Sequence, residues 1–257
     1  MGRDAPEMDS FRVEWRPRES LARHVDCVWA ERSNRDEPLL PDAAVELVWS
    51  GTGLFVRGAD TRPHAVGSFP ERTFVVVRFR PGAGAGVLGL HGMELADARV
   101  GVSALWGRGE MERLESRLAA CTSAAQAVEL LEDIVAVRVS QPPDPAVEAV
   151  VAALRSPNAR VAALADRIGV SERQLLRRCT AALGYGPKTL GRILRFQRFR
   201  ALAAAREGAR ARRPGRGCGL RGSGAPHPRV RTARGRDAVG PSRSHLTRPF
   251  RSRLGGR

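Results

Sequence analysis

Apolar residues recur at positions i, i+3, i+4 and i+7 through Val161-Ala162-Ala163-Leu164-Ala165-Asp166-Arg167-Ile168, the one-sided pattern of an amphipathic helix. Gly169 follows where a helix ends at least cost in a left-handed residue. Ser171, with Gln174 three residues later, has the spacing of a capping box and opens a second helix. In that helix Leu175 and Cys179 share an inward face, while Arg173, Gln174, Arg177 and Arg178 fill the rest. Pro187 suits the first turn of a third, longer helix, with Leu190, Ile193, Leu194, Gln197 and Ala201 along one face. Phe196, Phe199 and Leu202 widen its apolar surface, as in a helix contacted from two sides.

Upstream the period shortens. Residues 11–81 read as β-rich. Val45-Glu46-Leu47-Val48-Trp49, the loop Ser50-Gly51-Thr52-Gly53 and Leu54-Phe55-Val56-Arg57 read as a hairpin. Phe74-Val75-Val76-Val77-Arg78-Phe79-Arg80 is the strongest strand, ended by Pro81. Short strands at regular spacing predict a small barrel or sandwich. Residues 109–120 and 123–139 then show helical spacing, through Met111, Leu114 and Leu118 and through Ala127, Leu130, Leu131 and Ile134. This pair either packs on the core or forms a dimer contact. Gln141-Pro142-Pro143-Asp144-Pro145 is the clearest linker.

The expected fold is therefore α+β. Residues 1–140 form a β-rich domain, a cupin-like barrel or sandwich plus two helices, for sensing or dimerisation. Residues 141–207 form an all-α helix-turn-helix domain with its long helix, and residues 208–257 a tail.

A glycine stop, a capped start and a basic second helix are the order a groove-reading motif requires, although ordinary helical bundles share it. The run from Arg160 to Arg178 resembles the first helix-turn-helix of the AraC family of bacterial transcription regulators. Leu183-Gly184-Tyr185-Gly186-Pro187-Lys188-Thr189-Leu190 is similar to that family's entry into its connecting helix. One departure is Cys179, where the family usually carries Phe; the smaller side chain implies looser packing. The segments Leu40–Trp49 and Phe79–Ala83 also look like an amino-terminal domain that accompanies this motif. The resemblance implies two helix-turn-helix units reading successive major-groove faces of double-stranded DNA.

Side-chain chemistry assigns the first unit's contacts. Arg173 and Arg177 match guanine O6/N7, and Gln174 is a third candidate for a base edge. Ser171, Arg178, Lys188 and Thr189 are the expected phosphate contacts that set register.

Charge changes the picture at Gly208. From there to Arg257 stand 14 Arg and one acid, Asp237, so the tail holds +13 of the net +16. Residues 1–207 carry 29 basic and 26 acidic residues, so the high isoelectric point says little about the folded part. The stretch Ala209–Pro241 is mostly Arg, Gly, Pro, Ala and Ser, too apolar-poor to order itself. It is either an arginine-rich arm binding phosphates without specificity, or the product of a reading-frame shift in a GC-rich gene. The shift is favoured, because the chain's basic residues are 42 Arg and one Lys and family-like sequence returns at Ser244–Gly255. There His245, Thr247 and Arg248 resemble a second recognition helix. Leu246, Arg248, Phe250 and Gly255 repeat Leu175, Arg177, Cys179 and Gly184 at an offset of 71 residues. Pro249 would break that helix at a cost of about 3 kcal/mol, and the sequence reaches Arg257 before the motif is complete. The second unit is expected to be damaged.

Other chemistries find little support. Cys27, Cys121, Cys179 and Cys218 show no CxxC spacing, which fits a reducing cytoplasm and implies neither zinc nor disulfides. The histidines at 24, 64, 91, 227 and 245 are isolated, so no cupin metal set is expected. Gly84-Ala85-Gly86-Val87-Leu88-Gly89 matches GxGxxG after a strand, but no βαβ unit follows, so a flexible loop is expected there. No nucleophile elbow, membrane span or signal peptide is expected from this pattern. The reading is a non-enzymatic regulator without cofactor, open to a small-molecule effector and a homodimer. The rival is a small-molecule-binding or cupin-like module whose basic tail gives only non-specific nucleic-acid contact.

Overall fold

The computed structural model describes residues 12–34, 38–66, 69–156 and 161–211. The strands are β1 (Arg12–Trp15), β2 (Val25–Ser33), β3 (Glu46–Trp49), β4 (Leu54–Arg57), β5 (Arg72–Phe79) and β6 (Arg99–Gly101). They form one antiparallel sheet in the order β1-β2-β5-β3-β4-β6. The predicted hairpin is β3–β4, with Glu46 opposite Arg57 and Trp49 opposite Leu54. Strands β1 and β6 are the edges, so the described strands make a single open sheet rather than a closed barrel or a two-sheet sandwich.

Strand alternation gives the sheet two different faces. On one, Val28, Ala30, Leu47, Val56, Val75 and Val77 are buried in the main core. The helix α5 (Ala124–Ala136) packs over this face against β2 and β5. It buries Leu130, Leu131, Ile134 and Val135, so of the two roles open to this helix, core packing is the one seen. On the other face Trp29, Val48 and Val76 form a small second cluster. There Glu46, 1% exposed, lies across from Arg57 on β4 and Arg78 on β5. It pairs with both arginines, with Arg78 Nη2 at 2.7 Å. A buried carboxylate requires such partners. Asp42 takes the same Arg78 Nη2 at 2.5 Å. Burial alone would lower the Arg78 pKa, but Glu46 and Asp42 outweigh it and raise it.

The GxGxxG segment is not a loop. It forms α1 (Gly84–Leu88), with four of its five residues buried. Its glycines have packing roles: a Cβ on Gly84 would lie 2.7 Å from Val45 Cβ, and Gly89 (φ 71°) is the left-handed cap of this helix. α2 (Gly92–Leu95) follows, with His91 and Glu94 forming a capping box. α3 (Ser103–Trp106) and α4 (Arg108–Ala119) lead to α5.

Asp144 caps α6 (Pro145–Leu154) by accepting from Ala146 N at 2.8 Å. The helical pattern around residues 145–154 was not picked out in the sequence, where Pro142, Pro143 and Pro145 read as linker. Pro145 instead occupies the first turn of α6, where its missing N–H costs nothing. α7 (Val161–Ile168), α8 (Glu172–Leu183) and α9 (Pro187–Ala211) complete the described chain. α9 continues to Ala211, past the composition break at Gly208 that marked the start of the expected disorder. Buried residues of the sheet and of α5 to α9 belong to one continuous cluster.

Candidate nucleic-acid interface

The local sequence builds a helix-turn-helix as its periodicity predicts. Leu164 and Ala165 on α7 are buried against the core, and Gly169 takes φ 73° at the turn. Leu175, Cys179 and Leu183 form the buried face of α8. Cys179 is 0% exposed and burial pushes its thiol up to about 11, so this smaller residue leaves no opening to solvent. On the opposite face of α8, Ser171, Arg173, Gln174, Leu176 and Arg177 are all exposed.

The seven expected contacts of this unit divide by what holds each side chain. Arg173 and Arg177 are exposed on the outer face of α8 and pair with no described acid. They sit four residues apart, one turn of helix, so both guanidinium groups project on the same side.

Gln174 is committed elsewhere. Its Oε1 accepts from Ser171 N at 2.9 Å, and its own N–H donates to Ser171 Oγ at 3.2 Å. The Ser171 hydroxyl in turn donates to Gln174 Oε1 at 3.1 Å. The capping box thus engages the Ser171 hydroxyl and the Gln174 side-chain carbonyl at the start of the helix. Only the Gln174 side-chain NH2 stays available to a base.

Arg178 is also tied down. Its Nη1 bonds Asp144 Oδ1 at 3.3 Å, so the carboxylate that caps α6 engages one of its donors while the side chain stays exposed. Lys188 is exposed and Thr189 half-buried in the first turn of α9, where the helix N-terminus favours an anion. His245, Thr247 and Arg248 lie outside the described residues.

Leu176 adjoins Leu175 in the sequence but lies on a different face of α8. It is 51% exposed, between Arg173 and Arg177 on the outer face, where an apolar side chain suits a thymine methyl. The signal was available, because Leu176 falls off the Leu175–Cys179 face. Farther along α9, Arg198 donates to the Leu154 and Arg155 carbonyls and closes the end of α6. Arg192, Arg195, Arg200 and Arg206 are exposed. Phe199 and Leu202 remain 68% and 57% exposed, so among the described residues only one side of α9 is packed.

Val161–Ala211 holds 11 basic residues against three acids. Among the described residues its single ion pair is Arg178–Asp144. Among the described residues no group of His, Cys, Asp and Glu is arranged to hold a metal ion. None of the described helices is long and apolar enough to cross a membrane.

A family described as a domain of unknown function (DUF6597) matches residues 13–101, the sheet with α1 and α2. No curated protein matches the chain. A solved structure titled "Crystal structure of the AraC-like transcriptional activator CuxR" is similar at 14% identity and a TM-score of 0.21. That similarity covers 75% of this chain and 95% of the other.

Proposed function

We propose that this chain is a sequence-specific DNA-binding transcription regulator that reads the major groove through α8, and that it is not an enzyme. The observation that carries this reading is the contrast in how arginines are held. In the sheet region Arg12, Arg18, Arg32, Arg57, Arg78 and Arg99 each bond a carboxylate. On the outer faces of α8 and α9, Arg173, Arg177, Lys188, Arg192 and Arg195 have no described carboxylate partner. Unpaired cations on one face of a capped helix after a tight glycine turn match an anionic partner with a groove.

In this reading Arg173 and Arg177 contact base edges, with Leu176 between them. Lys188 and Thr189 hold a phosphate at the start of α9. The sheet domain takes the sensory role, and the resemblance of residues 160–178 to the AraC motif supports the same assignment.

The test is selection from a random duplex pool at physiological salt, using the full chain and its Arg173→Ala and Arg177→Ala forms. The full chain is expected to enrich one motif, and each variant to lose preference at one base pair. Steeply salt-dependent retention with no motif, abolished by deleting the tail after Ala211, would instead make binding a matter of tail electrostatics.

A further inference from the structure

The C-terminal end of α8 is set against the sheet domain at backbone contact. A Cβ placed on Gly92, at the start of α2, would lie 2.4 Å from Gly184 N and 2.8 Å from Leu183 N. Gly184 is the left-handed cap of α8, at φ 86°, and a Cβ there would lie 2.4 Å from Gly92 O. Neither position admits a side chain without movement of main chain. Beside this seam Gly82 meets α6, where an added Cβ would fall 2.7 Å from Val147 Cγ1.

A second tie reaches α9. The Gln197 side-chain amide donates to the Pro41 carbonyl. Pro41 precedes Asp42, which accepts from Ala44 N at 3.1 Å and binds Arg78 of the sheet. Ala43 between them is 1% exposed and holds φ 63°, a strained conformation for a residue with a Cβ, kept only where surroundings impose it. Loop 41–44 is therefore over-determined from the sheet side and touches α9 on the other.

We propose that the sheet domain is a positioning part of the reading head: the Gly92–Gly184 seam fixes the direction of α8, and the Pro41–Gln197 bond fixes α9. The proposal rests on α8 being the DNA-reading helix, as argued above. It makes Gly92 and Gln197 positioning residues without DNA contact. It also gives the charge cluster of Asp42, Glu46 and Arg78 a route to the head.

Gly92→Ala in the full chain is the direct probe. The alanine has ordinary helical backbone needs, so its effect is the methyl in the seam. Amide hydrogen exchange is measured across α8 and β5, alongside the motif preference of the selected duplex. Exchange of the Thr180–Leu183 amides is expected to speed up by roughly tenfold or more while β5 is unchanged. Motif preference is expected to fall by a similar factor, the scale of one mismatched base pair. Unchanged exchange in α8 overturns the seam.

Gln197→Met removes only the bond to Pro41 and keeps the experiment decisive if Gly92→Ala fails to fold. Faster exchange over Ile193–Ala201 supports the proposal, and unchanged exchange overturns it. Accelerated α8 exchange in a chain that never enriched a motif would leave the seam standing and remove the DNA reading. An enriched motif that Gly92→Ala leaves intact, with unaltered exchange, would do the reverse.

Discussion

The arginines of the sheet and those of α8 are the same side chain put to opposite uses. Arg57 and Arg78 flank Glu46 on neighbouring strands, 18% and 27% exposed, with the carboxylate between them at 1%. Arg173 and Arg177 stand exposed with no described acid in reach. A guanidinium is weakly hydrated and forks onto carboxylates or phosphates equally well. Its neighbours decide whether it holds a fold together or waits for a partner.

The comparison breaks first, and hardest, at Glu46. Glu46→Ala leaves Arg57 without its carboxylate and Arg78 with Asp42 alone, a change expected to cost about 3 kcal/mol. Urea unfolding should show the loss directly. Replacing Glu46 by Gln should recover part of it, since the amide oxygen still accepts from Arg78 Nε, now 2.9 Å from the carboxylate. A wild-type midpoint in both variants would mean the cluster carries no stability.

Arg177→Ala should behave in the opposite way. Its urea midpoint should stay within about 0.5 kcal/mol of wild type, as for a surface position. Preference at one base pair should fall by about 1–3 kcal/mol. Lys188→Ala should weaken all sequences alike and lower the salt slope by about one. Equal losses on selected and random duplexes for Arg177→Ala would remove it from the base-reading set.

Ser171→Ala tests the division within α8 itself. It should cost about 1 kcal/mol of stability through the lost cap, and it removes the hydroxyl bond to Gln174 Oε1 while Ser171 N still donates to that oxygen. If Gln174 is held to the cap and away from bases, preference should change little or sharpen. A loss of preference as large as that of Arg177→Ala would return Ser171 and Gln174 to the contact set.

Periodicity and capping rules read α7, α8 and the start of α9 closely. α7 and the Ser171 cap follow from apolar spacing, glycine placement and a four-residue motif, all local properties of the chain. Strands β3 to β5 were legible for the same reason. The charge cluster was not, because Glu46, Arg57 and Arg78 come together only through pairings set by strand order. α6 was hidden by prolines that serve its first turn. The GxGxxG segment gave the wrong expectation because the glycines answer to Val45 and to a helix cap. Close approach of backbones leaves no pattern in one sequence beyond the glycine itself. Arg178 looked free for the same reason, since Asp144 lies 34 residues away in the chain.

The smallest effect separates carboxylates held by arginine from one held mainly by a neutral neighbour. Asp97 accepts from Thr61 N at 2.8 Å and from the Thr61 hydroxyl at 2.6 Å. Burial alone would raise its pKa, but the Thr61 bonds, with Arg62 nearby, bring it below the ordinary 3.8. A carboxylate depressed on folding contributes stability that is fully present above its unfolded pKa, about 3.9. That contribution fades as pH falls through the lower folded value. Asp97→Asn should therefore lie below wild type at pH 6 and converge on it below about pH 4, in urea titrations at several pH values. Asparagine tolerates the left-handed backbone that Asp97 adopts at φ 54°, so the comparison reports the charge and not the turn. Parallel pH curves would mean that Thr61 binds the protonated acid as well as the carboxylate.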